Sequence, residues 1–330
     1  MTAGETAVAG DLKARPLRQD DARGVALLVA GYFAELGVSG GMSFEQTRQL
    51  FATPWLEGGS GLVLEHRTDI VGYGFVRPSQ WKGSDSVQFG LTLKRGYRDR
   101  EVYQLLTAPL LSAASAIANE RRIENISIHL RKADTFHPPI LFGLGFHEHP
   151  VSMLGFSHDL RNIPNRPLPP EFRFRSAKLP GESPAWLGLM TSIFDDRGRQ
   201  GEPINEAYLS FIAAKPGFDP EQVLVVEDQN GPVGGGIIDV ANAGPGGIAH
   251  IMQIGVLPAC RRRGIGSALV DRELNWLKDH GAGSALAGMF SSNLAATLFW
   301  RLGFRPDPSR TFRFFLRDTV RTAPKPPRRH

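Results

Sequence analysis

The sequence predicts an α/β protein with a mixed sheet in a three-layer α/β/α arrangement, built twice in tandem. Three observations carry this. The apolar, β-branched run Ile248–Val256 reads as a buried strand. It is followed by Gly264–His280, where Ile265, Ala268, Leu269, Trp276 and Leu277 recur at helical spacing. The two halves also repeat one another: Arg15 in LKARPLRQDDA matches Arg175 in FRFRSAKLPGESPA, 160 residues on, and LFGLGFHEH matches LFWRLGFRP, pairing Gly145–Phe146 with Gly303–Phe304.

Taken in order, residues 1–10 read as a flexible arm, 11–160 as a first, diverged domain and 161–171 as a stiff Pro-rich linker (RNIPNRPLPPE). Residues 172–318 form the second domain and 319–330 a basic, Pro-rich tail. Within the second domain Phe172–Ser176 is a strand, and Pro184–Arg197 and Ile204–Ala214 are helices that would cover a cleft. Val223–Glu227 and Val233–Val240 form a hairpin turned at Asp228-Gln229-Asn230-Gly231. After the central strand and its helix come a strand at Ser284–Met289, a helix at Leu294–Arg301 and a last strand at Thr311–Arg317. Gly234-Gly235-Gly236 inside a strand marks a bulge or a close backbone approach. Trp276, at helical spacing, reads as core.

Composition excludes several classes. The chain has 330 residues, 42% hydrophobic and 22% charged, as expected of a soluble globular protein with two domains. No apolar run approaches the roughly 18 residues of a membrane span. The N-terminus lacks the pattern of a signal peptide. A single cysteine, Cys260, rules out an intrachain disulfide framework and fits a reducing, cytoplasmic setting; no metal site is expected. The net charge of +5 favours anionic ligands. It is not accompanied by the interleaved basic and aromatic residues of nucleic-acid binders, so neither nucleic acid nor a membrane is expected as a partner. Homodimerisation is left open.

The chemistry concentrates in CRRRGIG, Cys260–Gly266, a basic turn between a strand and a helix. The first backbone N–H groups of a helix have no intrahelical partner and sit at the positive end of its dipole. Glycines let an anion approach them, and arginines add charge and forked donors suited to phosphate. The turn is neither a P-loop nor a full G-x-G-x-x-G, because Leu269 stands where the third glycine belongs. In the first copy LTLKRGYRDREVYQLL takes its place. Leu93 falls on Val256 and Arg98 on Arg261, both 163 residues apart, so that Glu101 replaces Gly264 and Tyr103 replaces Gly266. A carboxylate there would repel a phosphate and a tyrosine would block its approach, so the first copy has lost the site. Its remaining role would be structural or in a substrate cleft.

These residues resemble the GNAT superfamily, the acyl-CoA-dependent N-acetyltransferases. The family pattern [Q/R]-x-x-G-x-[G/A] stands here as Arg261-Arg262-Arg263-Gly264-Ile265-Gly266, after Val256-Leu257-Pro258. SSNLAATLFWRLGF looks like the family's Asn-led helix. The motifs cover Ile248–Phe304, and the tandem layout is similar to that of mycothiol synthase and related two-domain members. The resemblance implies two tandem GNAT-like domains, the first lacking the CoA signature. It implies acetyl-CoA as co-substrate, with backbone N–H groups from Arg262 to Ser267 around the pyrophosphate. The strand end Ile254–Val256 would lie beside the pantetheine, and an N–H near Val256 would hold the thioester oxyanion.

The resemblance also shows departures. The Tyr that protonates the CoA thiolate in many members falls on Phe299, which has no proton to give. Tyr73 and Tyr208 are tyrosines elsewhere. The helix-leading Asn falls on Ser292 or Asn293, and capping explains either. The position of a catalytic Glu on the central strand falls on His250, which alternation would put on one face with Met252, Ile254 and Val256. Asp195, Asp196 and Glu202 are other acidic candidates beside an acceptor site, or a solvated turn. Cys260 reads as a bystander, since direct transfer needs no acyl-carrying thiol. The function expected is transfer of an acetyl group to the amine of a small molecule. A protein acetyltransferase and a CoA-binding module without catalysis are the alternatives, and a nucleic-acid-binding reading ranks last.

Overall fold

The computed structural model describes residues 11–38, 41–52, 56, 58–78, 86–194, 206–213, 218–240, 246–293 and 295–319. The first half runs β1 (Leu12–Pro16), α1 (Ala22–Glu35), α2 (Phe44–Ala52), β2 (Ser60–His66), β3 (Asp69–Pro78), β4 (Ser86–Leu93), α3 (Arg100–Arg121), β5 (Asn125–Arg131), α4 (His137–Gly143), β6 (His147–Glu148) and β7 (Met153–His158). The second runs β8 (Arg173–Ser176), α5 (Ser183–Phe194), α6 (Glu206–Ala213), β9 (Val223–Asp228), β10 (Gly231–Asp239), β11 (Ile248–Val256), α7 (Ile265–Asp279), β12 (Ser284–Phe290), α8 (Ala295–Arg301), β13 (Arg305–Pro306) and β14 (Phe312–Asp318). The two halves have the same order of principal elements, as the sequence repeat predicts.

The chain forms two compact units. In the first, β1, β2, β3 and β4 are antiparallel neighbours and β5 is parallel to β4. Helices α1 and α2 pack on one face of this sheet through Ala22, Val25, Leu28 and Phe51 against Val63 and Tyr73. Helices α3 and α4 cover the other through Leu106, Leu110 and Leu141 against Leu64, Val71 and Leu91. The alternation is visible in one dipeptide, Val63 facing α1 and Leu64 facing α3.

The second unit repeats the plan. Strands β8, β9, β10 and β11 are antiparallel neighbours and β12 is parallel to β11. On one face α5 and α6 bury Trp186, Met190, Ile193 and Leu209 against Val223, Val225 and Ile237. On the other α7 buries Ile265, Leu269 and Leu274 against Val226, Val256, Ile238 and Ile251. The three-layer expectation holds in each unit.

The expected domain limits, 11–160 and 172–318, differ from the compact units at the last strand of each copy. β7 belongs to the second unit, where it pairs antiparallel with β12 from Ala285↔His158 to Phe290↔Met153. Residues 313–319 belong to the first unit, where β14 lies beside β5 and pairs with β6. The Thr319 N–H bonds the Glu124 carbonyl there at 2.9 Å. Each unit's sheet therefore ends in the strand that closes the other copy of the sequence.

Residues 161–171 are not a free spacer either. The Arg166 guanidinium holds Asp271 of α7 at 2.8 and 2.9 Å, and Asn275 donates to the Pro164 carbonyl at 3.3 Å. The expected arm (1–10), the tail beyond Thr319, and Asp195, Asp196 and Glu202 lie outside the described residues.

Candidate acyl-CoA site

Strand β11 leads into the site. Its parallel register with β12 ends at Ile251↔Ala287, although β11 continues to Val256 and β12 to Phe290. Beyond that pair the two strands diverge, and residues 253–256 keep a paired neighbour on the β10 side. At the divergence β11 carries a bulge. Gln253 stands opposite Ile237 and Ile251 opposite Ile238, which leaves Met252 as the extra residue.

The bulge overturns the expected common face of His250, Met252, Ile254 and Val256. Ala249 and Ile251 pack against α7, so His250 faces the α5 side. Met252 packs against the α5-side cluster, and Gln253 shares that face because it pairs with Ile237. Ile254 and Val256 then return to the α7 side. Six residues of strand, roughly 20 Å, separate His250 from Val256. The two expected catalytic positions are thus on opposite faces and far apart.

At the end of β11 the turn Pro258–Gly264 uses two left-handed residues. Arg262 has φ 62° and Gly264, the N-cap of α7, has φ 85°. The second is a conformation that glycine adopts without steric cost. Among the described residues no side chain caps α7. Gly266 answers to nothing within the chain: a Cβ there would meet only Leu298 and Val256 methyl groups, each at 3.8 Å. The first turn of α7 thus presents its N–H groups over a surface kept low by a glycine that internal packing does not require. Exposed N–H groups at a helix start are in general a favourable place for an anion.

The three arginines are not equivalent. Arg261 turns back into the protein, where Nε donates to the Val256 carbonyl at 3.0 Å and Nη2 to the Ile193 carbonyl at 2.9 Å. Arg263 lies over the Phe172 ring at 4.7 Å and pairs with Glu171. Arg262 is exposed. Ile265 is fully buried against Val256 and Leu269. Ser267 is half-buried in the first turn of α7.

Asn293 caps α8, accepting the Ala295 N–H at 2.9 Å, and Ser292 is exposed. Phe299 is buried core, 4.8 Å from the Phe304 ring. Tyr73 belongs to the first unit's core, buried beside Phe51 and Phe75. Tyr208 falls in α6, where its side chain is outside the described set. Trp276 is buried and stacks on His280 at 3.7 Å. Cys260 is half-buried against the Val256–Ile265 cluster.

One group escaped the sequence reading. Glu273 of α7 is fully buried, and among the described residues neither carboxyl oxygen has a hydrogen-bond partner. Burial raises its pKa well above 4.5, which keeps it protonated. A signal existed: Ile265, Leu269, Glu273 and Leu277 form one i, i+4 row, so the residue had to face the sheet.

The first unit differs at the corresponding helix start. At α3 the N-cap is Asp99, whose carboxylate accepts the Val102 N–H at 2.9 Å. Asp99 corresponds to Arg262 in the repeat alignment. The chain supplies its own anion to the helix N-terminus. Tyr103, in the place of Gly266, is 1% exposed and sits edge-on to His137. Glu101, which the alignment sets against Gly264, lies in the first turn of the same helix and is exposed. His137 and Tyr32 both bond the Asp134 carboxylate, at 2.5 and 2.6 Å. Burial alone would raise the pKa of Asp134, but these bonds outweigh it and hold it at about 2.

Among the described residues no helix is long and apolar enough to cross a membrane, and no cluster of His, Cys, Asp and Glu could hold a metal.

Residues 189–304 match the acetyltransferase (GNAT) family model, spanning the end of α5 to the close of α8. Mycothiol acetyltransferases of Salinispora tropica and Renibacterium salmoninarum are 32% and 28% identical over 146 residues. The aligned part is 43% of this chain and 47% and 43% of those proteins, so the match spans less than half the length of either. A GCN5-related N-acetyltransferase from Sphaerobacter thermophilus superposes with a TM-score of 0.72 at 16% identity, over 95% of this chain and 97% of that one. A tandem GNAT protein from the clavulanic acid biosynthesis pathway gives 0.69 at 12% identity, over 94% and 100%. At such identities these two superpositions speak for the fold. The second unit thus carries a match to the acetyltransferase (GNAT) family over residues 189–304, and the chain as a whole has the fold of the tandem GNAT structure it superposes on.

Proposed function

We propose that the second unit transfers an acetyl group from acetyl-CoA to the amine of a small molecule by direct attack on the thioester. The observation that carries this is the pairing of an uncapped α7, opened by Gly264 and Gly266, with a strand that parts from β12 just before it. On this reading the N–H groups of residues 262–267 hold the pyrophosphate. The pantetheine lies along residues 252–256, on the side turned away from β10. A backbone N–H in this stretch polarises the thioester carbonyl as the tetrahedral oxyanion develops. The amine must arrive neutral, and its proton leaves to a base or water while the thiolate is protonated.

His250 is the basic side chain nearest the divergence on the α5 face of β11, and a water chain would have to link it to the amine. Phe299 offers the departing thiolate no proton, so solvent is the proposed donor. The likeness to mycothiol acetyltransferases supports a small-molecule acceptor over a protein one.

The test is calorimetric titration of acetyl-CoA into the protein and into Gly264→Glu, followed by an amine screen for released thiol. Saturable binding that disappears in the variant is the expected result. A folded wild-type protein that does not bind acetyl-CoA would rule the reading out. Binding without thiol release from any amine would favour a CoA-binding module.

A further inference from the structure

We propose that Arg261, the first residue of the anion-binding signature, is a positioning residue that staples α5 to the end of β11 and is not a ligand of the cofactor phosphates. The inference rests on the acyl-CoA reading of the site and assigns one side chain within it.

Two of its partners are main-chain carbonyls of the protein. Nε donates to Val256 O at 3.0 Å and Nη2 to Ile193 O at 2.9 Å. The peptide that carries Val256 O is also held from its other side, because the Leu257 N–H donates to Val233 O at 2.8 Å. Ile193 in turn is gripped twice. Its side chain lies on Gly255, where a Cβ would come within 2.3 Å of Ile193 Cγ2, and its carbonyl takes the guanidinium. That carbonyl is in the last turn of α5, where unsatisfied acceptors and the negative end of the helix dipole favour a cation.

The first unit supplies an independent comparison. Arg98, its counterpart, donates from Nε to Leu93 O at 2.8 Å, again five residues back. Its Nη2 lies 2.7 Å from the Glu35 carboxylate, at the end of α1, the helix in the place of α5. Yet the first unit has no anion cradle, since Asp99 caps α3 and Tyr103 replaces the second glycine. An arginine that keeps the same bond and reaches the same helix end where no phosphate is held is retained for that bond. In the second unit it sets how closely α5 lies against residues 255–256, and so the room left on the α5 face of the strand where the amine would approach.

The experiment compares Arg261→Lys and Arg261→Gln with Arg262→Gln. Acetyl-CoA affinity is read at low and high salt, and amide hydrogen exchange is followed across residues 186–194. A lysine keeps the charge but lacks the fork that serves two carbonyls. The expected result is affinity within about threefold of wild type and an unchanged salt dependence, with exchange in the last turn of α5 about tenfold faster, the loss of roughly one hydrogen bond. Arg261→Gln, which keeps one donor, should give intermediate exchange, and Arg262→Gln should leave exchange unchanged. Loss of affinity beyond about tenfold with a shallower salt dependence, and no change in exchange, would make Arg261 a phosphate ligand and overturn the proposal. If the wild-type protein binds no acetyl-CoA, the acyl-CoA reading fails instead, and the exchange data alone decide whether the staple exists.

Discussion

The carboxyl group of Glu273 occupies the space that a side chain at Gly236 would need: a Cβ on Gly236 would lie 2.0 Å from Glu273 Oε1. Helix α7 thus rests on β10 through a buried acid and a glycine, where two apolar side chains would ordinarily meet. Because burial raises the pKa of Glu273, the folded state keeps a proton that the unfolded chain releases above about pH 4.5. Stability contributed by the protonated group is therefore full below that pH and declines as pH rises toward the folded-state pKa. Glu273→Gln should remove this decline. Its thermal midpoint should exceed that of the wild type at pH 8 by more than at pH 5, and an equal difference at both values would contradict a neutral buried acid. Gly236→Ala should cost about 1–3 kcal/mol from overpacking, measured by denaturant unfolding, and Glu273→Asp should recover part of it.

Arg15 and Arg175 head the same network in the two units. Arg15, opposite Val63, bonds Asp21 at 2.7 and 2.8 Å and Glu65 at 2.5 Å. Arg175, opposite Val225, bonds Glu227 and Glu182, both at 2.7 Å. Arg15 lowers the pKa of Asp21 against the opposing effect of burial, and for Glu65 it is the main cause of the lowering. Such carboxylates stabilise the fold above their unfolded pKa, near 4, and the contribution is lost as pH falls through their lower folded values. Arg15→Met should therefore destabilise by about 2 kcal/mol near neutral pH and by much less at pH 3, as urea titration at both values would show.

That pair of arginines shows why the fold was legible. A repeat that preserves an ion network preserves the strand pairing that builds it, so matching Arg15 to Arg175 also matched β1–β2 to β8–β9. The same logic made the Leu93/Val256 and Arg98/Arg261 correspondence reliable: the parallel register ends at Gln88 in the first unit and at Ile251 in the second, again 163 residues apart. The bulge at Met252 was not legible, because an extra residue in an apolar strand leaves no mark in a period-two pattern. Nor could similarity reveal which sheet β7 and β14 enter, since both copies carry an equivalent strand. The arginine run reads as charge and forked donors suited to phosphate because charge is visible in sequence, whereas the carbonyls and the Glu171 carboxylate that two of them answer are not.

Asp99 and Tyr103 predict that one chain binds one acyl-CoA. The first unit's helix N-terminus is satisfied internally, and the space of the second glycine holds a buried ring. Calorimetric stoichiometry should be one per chain; a value of two would mean that the first unit binds as well. Asp99→Ala should cost about 1 kcal/mol of stability through loss of the cap, without altering acetyl-CoA affinity.

Glu171 and Arg263 bear on affinity from outside the cradle. Arg263 adjoins the first turn of α7, but its guanidinium lies over Phe172 and pairs with Glu171. Both side chains of the pair are 46% exposed, so water and salt screen the bond, which is worth at most about 1 kcal/mol. A phosphate offers the same guanidinium a stronger acceptor, and Glu171 then acts as a competing anion that must be displaced. Glu171→Gln should tighten acetyl-CoA binding about threefold to fivefold at low salt, by release of a pair of that strength. The difference should shrink at high salt, where screening weakens the competition. Arg263→Gln should weaken binding in the same assay. If Glu171→Gln weakens binding instead, the carboxylate orients Arg263 toward the ligand, and the pair is part of the cradle.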